Sequence, residues 1–197
     1  MKKLLVTTIV LIVLFVSSVY GGYINNNVVY TPPVKDTTDI SIAKVSINND
    51  TIFCDSLTLS LKNIPRAQHL FTVAKLSVGR WAKLFTVLKI EESGADGQNS
   101  WYATNYYNLT GMRCVGAGRK TTSNGCGHNQ YAKFNNWHDC VLDFKHYIDV
   151  MDARFVAKYK RAPKDEFEMV DFMHGSFNVY GKWKADVYWL LRHFQYK

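Results

Sequence analysis

The sequence predicts an α+β protein, mainly α, with one small β lobe inserted after a helix that ends in two acids. Three observations lead there. From about residue 64 onward, apolar residues recur at steps of three and four, the period of a helix with one buried face. One stretch, "GMRCVGAGRKTTSNGCGHNQYAKF", lacks that stripe and is crowded with Gly, Thr, Ser and Asn. Finally, 47% hydrophobic and 20% charged residues in a chain of 197 suffice for one packed domain with extensions.

Taken in order, the chain starts with Lys2 and Lys3, an apolar run from Leu4 to Val16, and small or turn residues at Ser17, Ser18, Gly21 and Gly22. This is the three-part layout of a secretory signal peptide, expected over residues 1–22. The rival is an uncleaved anchor, but the run is shorter than the roughly 20 apolar residues a bilayer span needs. Both readings take the remainder out of the cytoplasm, to the periplasm, the envelope or the extracellular space. Residues 23–62 are rich in Asn, Thr, Asp and Pro and read as an extension or linker. Within it, "SIAKVSI" and "TLSLKN" have the composition of short strands.

Residues 63–197 read as the folded domain. "IPRAQHLFTVAKL" opens with Pro65 where a first helical turn tolerates it. "SVGRWAKLFTVLKIEES" gathers Trp81, Leu84, Phe85, Leu88 and Ile90 mostly on one side, and Gly94 supplies a C-terminal stop. "NNWHDCVLDFKHYIDVM" repeats the pattern through Trp137, Val141, Phe144, Ile148 and Met151. "PKDEFEMVDFMHG" and "YGKWKADVYWLLRHF" complete the helices. In the intervening lobe, "SNG" at 123–125 is a hairpin-turn signal.

The four cysteines are Cys54, Cys114, Cys126 and Cys140. An even count in an exported chain favours disulfides. Cys114 and Cys126 close a short Gly-rich loop and form the first expected pair; Cys54 with Cys140 is the second. Zinc is the rival because His128 and His138 lie close by, but the close cysteine spacing of structural zinc sites is absent. No metal or cofactor is expected. The net charge of +8 draws an exported protein toward anionic polymers such as a cell-wall surface. No basic block reads as a nucleic-acid stripe, and the densest, Lys158, Lys160, Arg161 and Lys164, reads as a solvated turn.

Glu91 and Glu92 end an apolar run, and aromatics and amides follow them. A carboxyl group held against apolar side chains loses hydration, stays protonated toward neutrality, and can then deliver a proton to a poor leaving group. Glu92 continues Trp81–Phe85–Leu88 and Glu91 continues Leu84–Leu88, so periodicity does not choose between them. Two polar residues at a fraying helix end give the same pattern.

Glu92-Ser93-Gly94, then Trp101 and Tyr102, then Tyr107-Asn108-Leu109-Thr110-Gly111-Met112-Arg113 resembles the glucosaminidase domain of glycoside hydrolase family 73, which has the lysozyme-like fold. "YAKFNNWHDCVLDFKHYI" and "HGSFNVYGKWKADV" follow in the family's order. The resemblance implies a peptidoglycan hydrolase acting on glycan strands at the β-1,4 bond after N-acetylglucosamine. It implies Glu92 as the catalytic acid and Tyr180 as an assisting catalytic residue across from it. Asn108 and Gly111 would shape the floor of the site, and Trp101, Tyr102, Tyr106 and Tyr107 would be substrate platforms.

The chain also departs from that family. Ala95-Asp96-Gly97 stands where a Trp-Gly is usual, and Thr110 replaces a Phe. Residues 113–138 contain no Asp or Glu, so the second acid of the usual glycosidase pair is missing from the lobe. The substrate's own acetamido group, Asp96 or Asp139 are the substitutes. A lytic transglycosylase or muramidase on the same fold, and a catalytically inactive wall-binding module, are the competing readings.

Overall fold

In the computed structural model, the structure describes residues 46–54, 57–95, 100–115 and 120–195. The apolar run 4–16, Asp96 and most of "SIAKVSI" lie outside the described residues. The described residues belong to one compact unit, and they are mixed α plus β and mostly helical.

Three short strands come first: β1 (Ser46–Asn48), β2 (Thr51–Cys54) and β3 (Leu57–Ser60), antiparallel and in that order. Alternation along β2 buries Ile52 and Cys54 while Phe53 points outward, the period of a half-buried strand. Ile52, Cys54 and Leu61 belong to the main core cluster. The Trp137 indole N–H donates to the Ser60 carbonyl at 2.8 Å. The stretch read as extension thus supplies a sheet that is fastened to the core.

Helix α1 (Ala67–Val78) follows Pro65 and buries Leu70, Val73 and Ala74. "SVGRWAKLFTVLKIEES" is not one continuous helix. Gly79, at φ +64°, ends α1, and a single 3-10 turn, Gly79–Trp81, leads into α2 (Ala82–Ser93). Helix α2 is central, since Leu84, Phe85, Val87 and Leu88 are all fully buried. Each such side chain contributes about 1.5–3 kcal/mol of transfer free energy. Gly94, at φ +75°, stops α2 as expected, and its N–H donates to the Ile90 carbonyl at 2.9 Å.

A short helix, α3 (Trp101–Tyr106), is capped by the Ser100 hydroxyl. The β lobe holds two-residue strands β4 (Gly125–Cys126) and β5 (Ala132–Lys133), clipped by the Cys114–Cys126 disulfide. "SNG" is not its turn: Asn124 already pairs with Lys133, and the chain reverses over 127–131. Asn129 and Gln130 take the left-handed conformation there, which Asn tolerates better than most residues.

Helix α4 (Trp137–Tyr159) starts at Asn136, whose side chain accepts from the Asp139 N–H at 3.0 Å. It buries Trp137, Val141, Phe144, Ile148, Met151 and Phe155, and Phe144 meets Phe85 of α2 at 5.1 Å between ring centroids. Helices α5 (Glu166–Met173, capped by Asp165) and α6 (Gly181–His193) complete the fold.

The second expected disulfide is absent: Cys54 and Cys140 are separate buried thiols. The Cys140 sulfur instead lies beneath the loop after α3, where it accepts from the Leu109 N–H at 3.4 Å and meets the Thr110 hydroxyl at 3.8 Å. Among the described residues, no three His, Cys, Asp or Glu side chains converge as a metal site. No helix among them is long and apolar enough to cross a membrane.

Candidate active site

The last turn of α2 is fixed to its surroundings from below. Lys89 is fully buried and its ammonium donates to the carbonyls of Gly94 and Ala95, both at 2.7 Å. A cation at a helix C-terminus satisfies orphan carbonyls and opposes the negative end of the helix dipole. The buried Ser93 hydroxyl donates to the Leu109 carbonyl at 2.7 Å. Serine in Glu-Ser-Gly therefore ties the acid-bearing turn to the loop 107–112, and Gly94 turns the chain away.

Loop 107–112 is held as firmly. The Asn108 amide donates to the Met112 and Ala132 carbonyls at 2.8 and 3.0 Å and accepts from the Met112 N–H at 2.8 Å. Its polar capacity is spent on backbone in the interior, so Asn108 holds the loop together. Gly111, at φ +65°, comes closest to the acid: a β-carbon there would stand 3.0 Å from the Glu92 Oε2.

Glu92 thus sits between loop 107–112 and α6. Burial pushes its carboxyl up to about 7, while the Trp183 indole and the Arg113 guanidinium pull it down. Trp183 is 4% exposed, and its indole N–H lies near the carboxylate but completes no hydrogen bond. Glu91 is also raised to about 7, by burial and by the carboxylates of Asp186 and Glu92, against the Lys182 ammonium. It leans toward α6 and does not simply face solvent. A group of pKa about 7 is half protonated at neutral pH, which suits general acid catalysis.

The aromatic residues form a wall beside this acid. Tyr131 stacks on Tyr102 with centroids 3.9 Å apart, and Trp101 meets Tyr102 and Tyr106 edge-on at 5.4 and 4.9 Å. Tyr106 accepts from the His128 N–H at 3.1 Å and lies against Gly127, which joins α3 to the β lobe. Trp101 is 57% exposed and presents an open platform. Tyr107, in contrast, packs against the core and closes α3 in the left-handed conformation.

Tyr180 is 72% exposed at the start of α6, and no hydrogen bond joins it to Glu92. Trp183, one turn further on, approaches the carboxylate instead. Asp139 is engaged at the α4 cap, where its side chain accepts from the Asn136 amide. A cleft of about 420 Å³ opens elsewhere, between the C-terminal part of α4 and α5, and shares no lining residue with Glu92's surroundings.

No family model, curated protein or solved structure matches this chain.

Sequence reasoning passed over Lys89, Arg113, Tyr131 and Trp183. Lys89 left a readable signal, a lone cation interrupting an apolar stripe five residues before Gly94. Arg113 and Tyr131, far apart in sequence, are brought side by side by the isolated pairing of their backbones across the lobe. Trp183 reaches Glu92 from the far end of the chain, and no spacing rule connects them.

Proposed function

We propose that the chain is an exported peptidoglycan hydrolase, an endo-β-N-acetylglucosaminidase of lysozyme-like fold, with Glu92 as general acid. The observation that carries this reading is a carboxyl group raised to about 7 by burial, beside a wall that includes an exposed Trp101. Aromatic faces stack on sugar rings, and a neutral carboxyl protonates the glycosidic oxygen as the C–O bond breaks. The order of Glu92-Ser93-Gly94, the Asn108–Gly111 loop and a following β lobe also fits the glucosaminidase resemblance. In this reading the leading segment 1–22 is the export signal.

A second group must meet the developing positive charge at the sugar carbon. The substrate's acetamido oxygen fits that role, because residues 113–138 carry no acid. It attacks the carbon, the bond to the departing sugar breaks, and Glu92 gives its proton to the glycosidic oxygen that leaves with that sugar. Water, activated by the now ionised Glu92, opens the resulting ring. The same lack of a second acid favours one further reading, a lytic transglycosylase, in which the sugar's own hydroxyl replaces water.

Mass spectrometry of muropeptides after digestion tests both. New reducing N-acetylglucosamine ends are expected. Anhydro ends give the transglycosylase, and reducing N-acetylmuramic ends give a muramidase. Glu92→Gln keeps the shape and removes the proton, so hydrolysis should fall roughly 10²–10⁴-fold while binding to insoluble wall persists. Undiminished activity of the variant would remove Glu92 from the mechanism, and an inactive wild type that still binds wall would leave a binding module.

A further inference from the structure

We propose that Arg113 is the anion-recognising residue of this cleft, taking a carboxylate carried by the glycan strand and so selecting acidic glycans over neutral ones. The proposal rests on the reading of the aromatic wall as a sugar-binding face.

Surface arginines are usually solvated and mobile, but this one is fixed at two points. Its guanidinium carbon lies 3.9 Å from the Tyr131 ring centroid, and one terminal nitrogen donates to the Asn129 carbonyl. Tyr102 lies equally close to Tyr131, and two groups at that distance must take opposite faces of one ring. Arg113, Tyr131 and Tyr102 therefore form three layers. A stacked guanidinium keeps its edge available, and its remaining N–H groups form a planar fork that matches a carboxylate.

Arg113 makes no salt bridge with any described carboxylate, whereas other surface cations are paired, such as Lys182 with Asp186 at 2.6 Å. Glu92 is near enough to feel its charge, but the two form no salt bridge. A rigid exposed cation beside an acid that does not neutralise it is arranged for an anion from outside. The strands of peptidoglycan offer one, the lactyl carboxylate of muramic acid wherever its peptide has been removed. Chitin-type strands, built only of N-acetylglucosamine, offer none.

The test uses the full mature chain bearing Glu92→Gln, so that no turnover occurs. Tryptophan fluorescence measures its affinity for two probes, a peptide-free tetrasaccharide alternating N-acetylglucosamine and N-acetylmuramic acid, and neutral chitotetraose. The acidic probe should bind about tenfold tighter, the worth of one charge-assisted contact. Arg113→Met keeps a side chain over Tyr131 and should bring the ratio of the two affinities close to one. Arg113→Lys should retain part of it, and Lys133→Met, which removes an equal charge above Tyr106, should retain all of it.

Equal affinities in the parent, binding of neither probe, or an unchanged ratio in Arg113→Met would each overturn the proposal. So would an equal fall in both affinities, which is the mark of a purely structural brace. The hydrolase reading is judged separately, with Glu92 intact: no cleavage of peptidoglycan alongside a preserved preference would remove that reading and leave the anion site.

Discussion

Gly111 illustrates how one residue can matter without any side chain. Its φ of +65° is costly for other residues, and a methyl group there would press on the Glu92 carboxylate at 3.0 Å. Gly111→Ala should therefore cost about 1–2 kcal/mol of stability from the backbone alone. The carboxylate is the mobile end of a side chain, so it can swing aside, and in the proposed mechanism that movement would spoil proton delivery. Hydrolysis should fall by at least about tenfold, more than any loss of folded protein at 25 °C explains. Equal activity in folded wild type and variant would show that the acid has room to spare. At this scale the sequence was informative about Glu92, because an acid ending an apolar stripe is visible in one dimension. Its neighbours Arg113, Tyr131 and Trp183 were not, because only tertiary folding brings them there.

Among the elements, the long helices α1, α4 and α6 were legible because each has one buried stripe and a polar remainder. The strands near the start were less so. At three or four residues, they are too short for alternation to stand out from an Asn- and Thr-rich background. Helix α3 was invisible for a related reason, having six residues and only Ala103 fully buried. The hairpin turn was misplaced because "SNG" looks like a turn, while the real reversal uses Asn129 and Gln130. The Cys114–Cys126 bridge clips this lobe, and the lobe carries Tyr131. Replacing both cysteines with serine should lower stability by up to about 3 kcal/mol, by urea unfolding. It should also raise KM while sparing the helical core, read as an unchanged far-ultraviolet helix signal. A variant with wild-type KM would mean that the wall keeps its shape unclipped.

For the whole molecule, the two raised carboxyls make stability depend on pH. Burial holds Glu91 and Glu92 at about 7 in the folded protein, against 4.5 for an ordinary glutamate. The folded state therefore binds more protons than the unfolded state between those values, and stability falls as pH rises through about 7. His138 works oppositely: burial lowers its pKa from 6.5, so it costs stability as the solution becomes more acidic than that. Thermal unfolding should show Tm decreasing from about pH 5.5 to about 7.5. Glu91→Gln combined with Glu92→Gln should flatten that slope. A slope unchanged by both substitutions would mean that neither carboxyl titrates there. Hydrolysis should show its descending basic limb as pH rises through about 7, because the proton to be donated is gone.

The sulfur of Cys140 beneath Leu109 and Thr110 has a consequence for the order of events during maturation. Once α4 has docked, burial lifts that thiol to about 12, and it no longer reacts at neutral pH. Before docking, it is an ordinary thiol competing with three others for the same oxidant. The correct bridge, which closes only twelve positions, is the one that chain proximity favours. Collapse of the central helices and local loop closure thus act together as a proofreading step, hiding the thiols that would otherwise give crossed bridges and leaving two that can be joined.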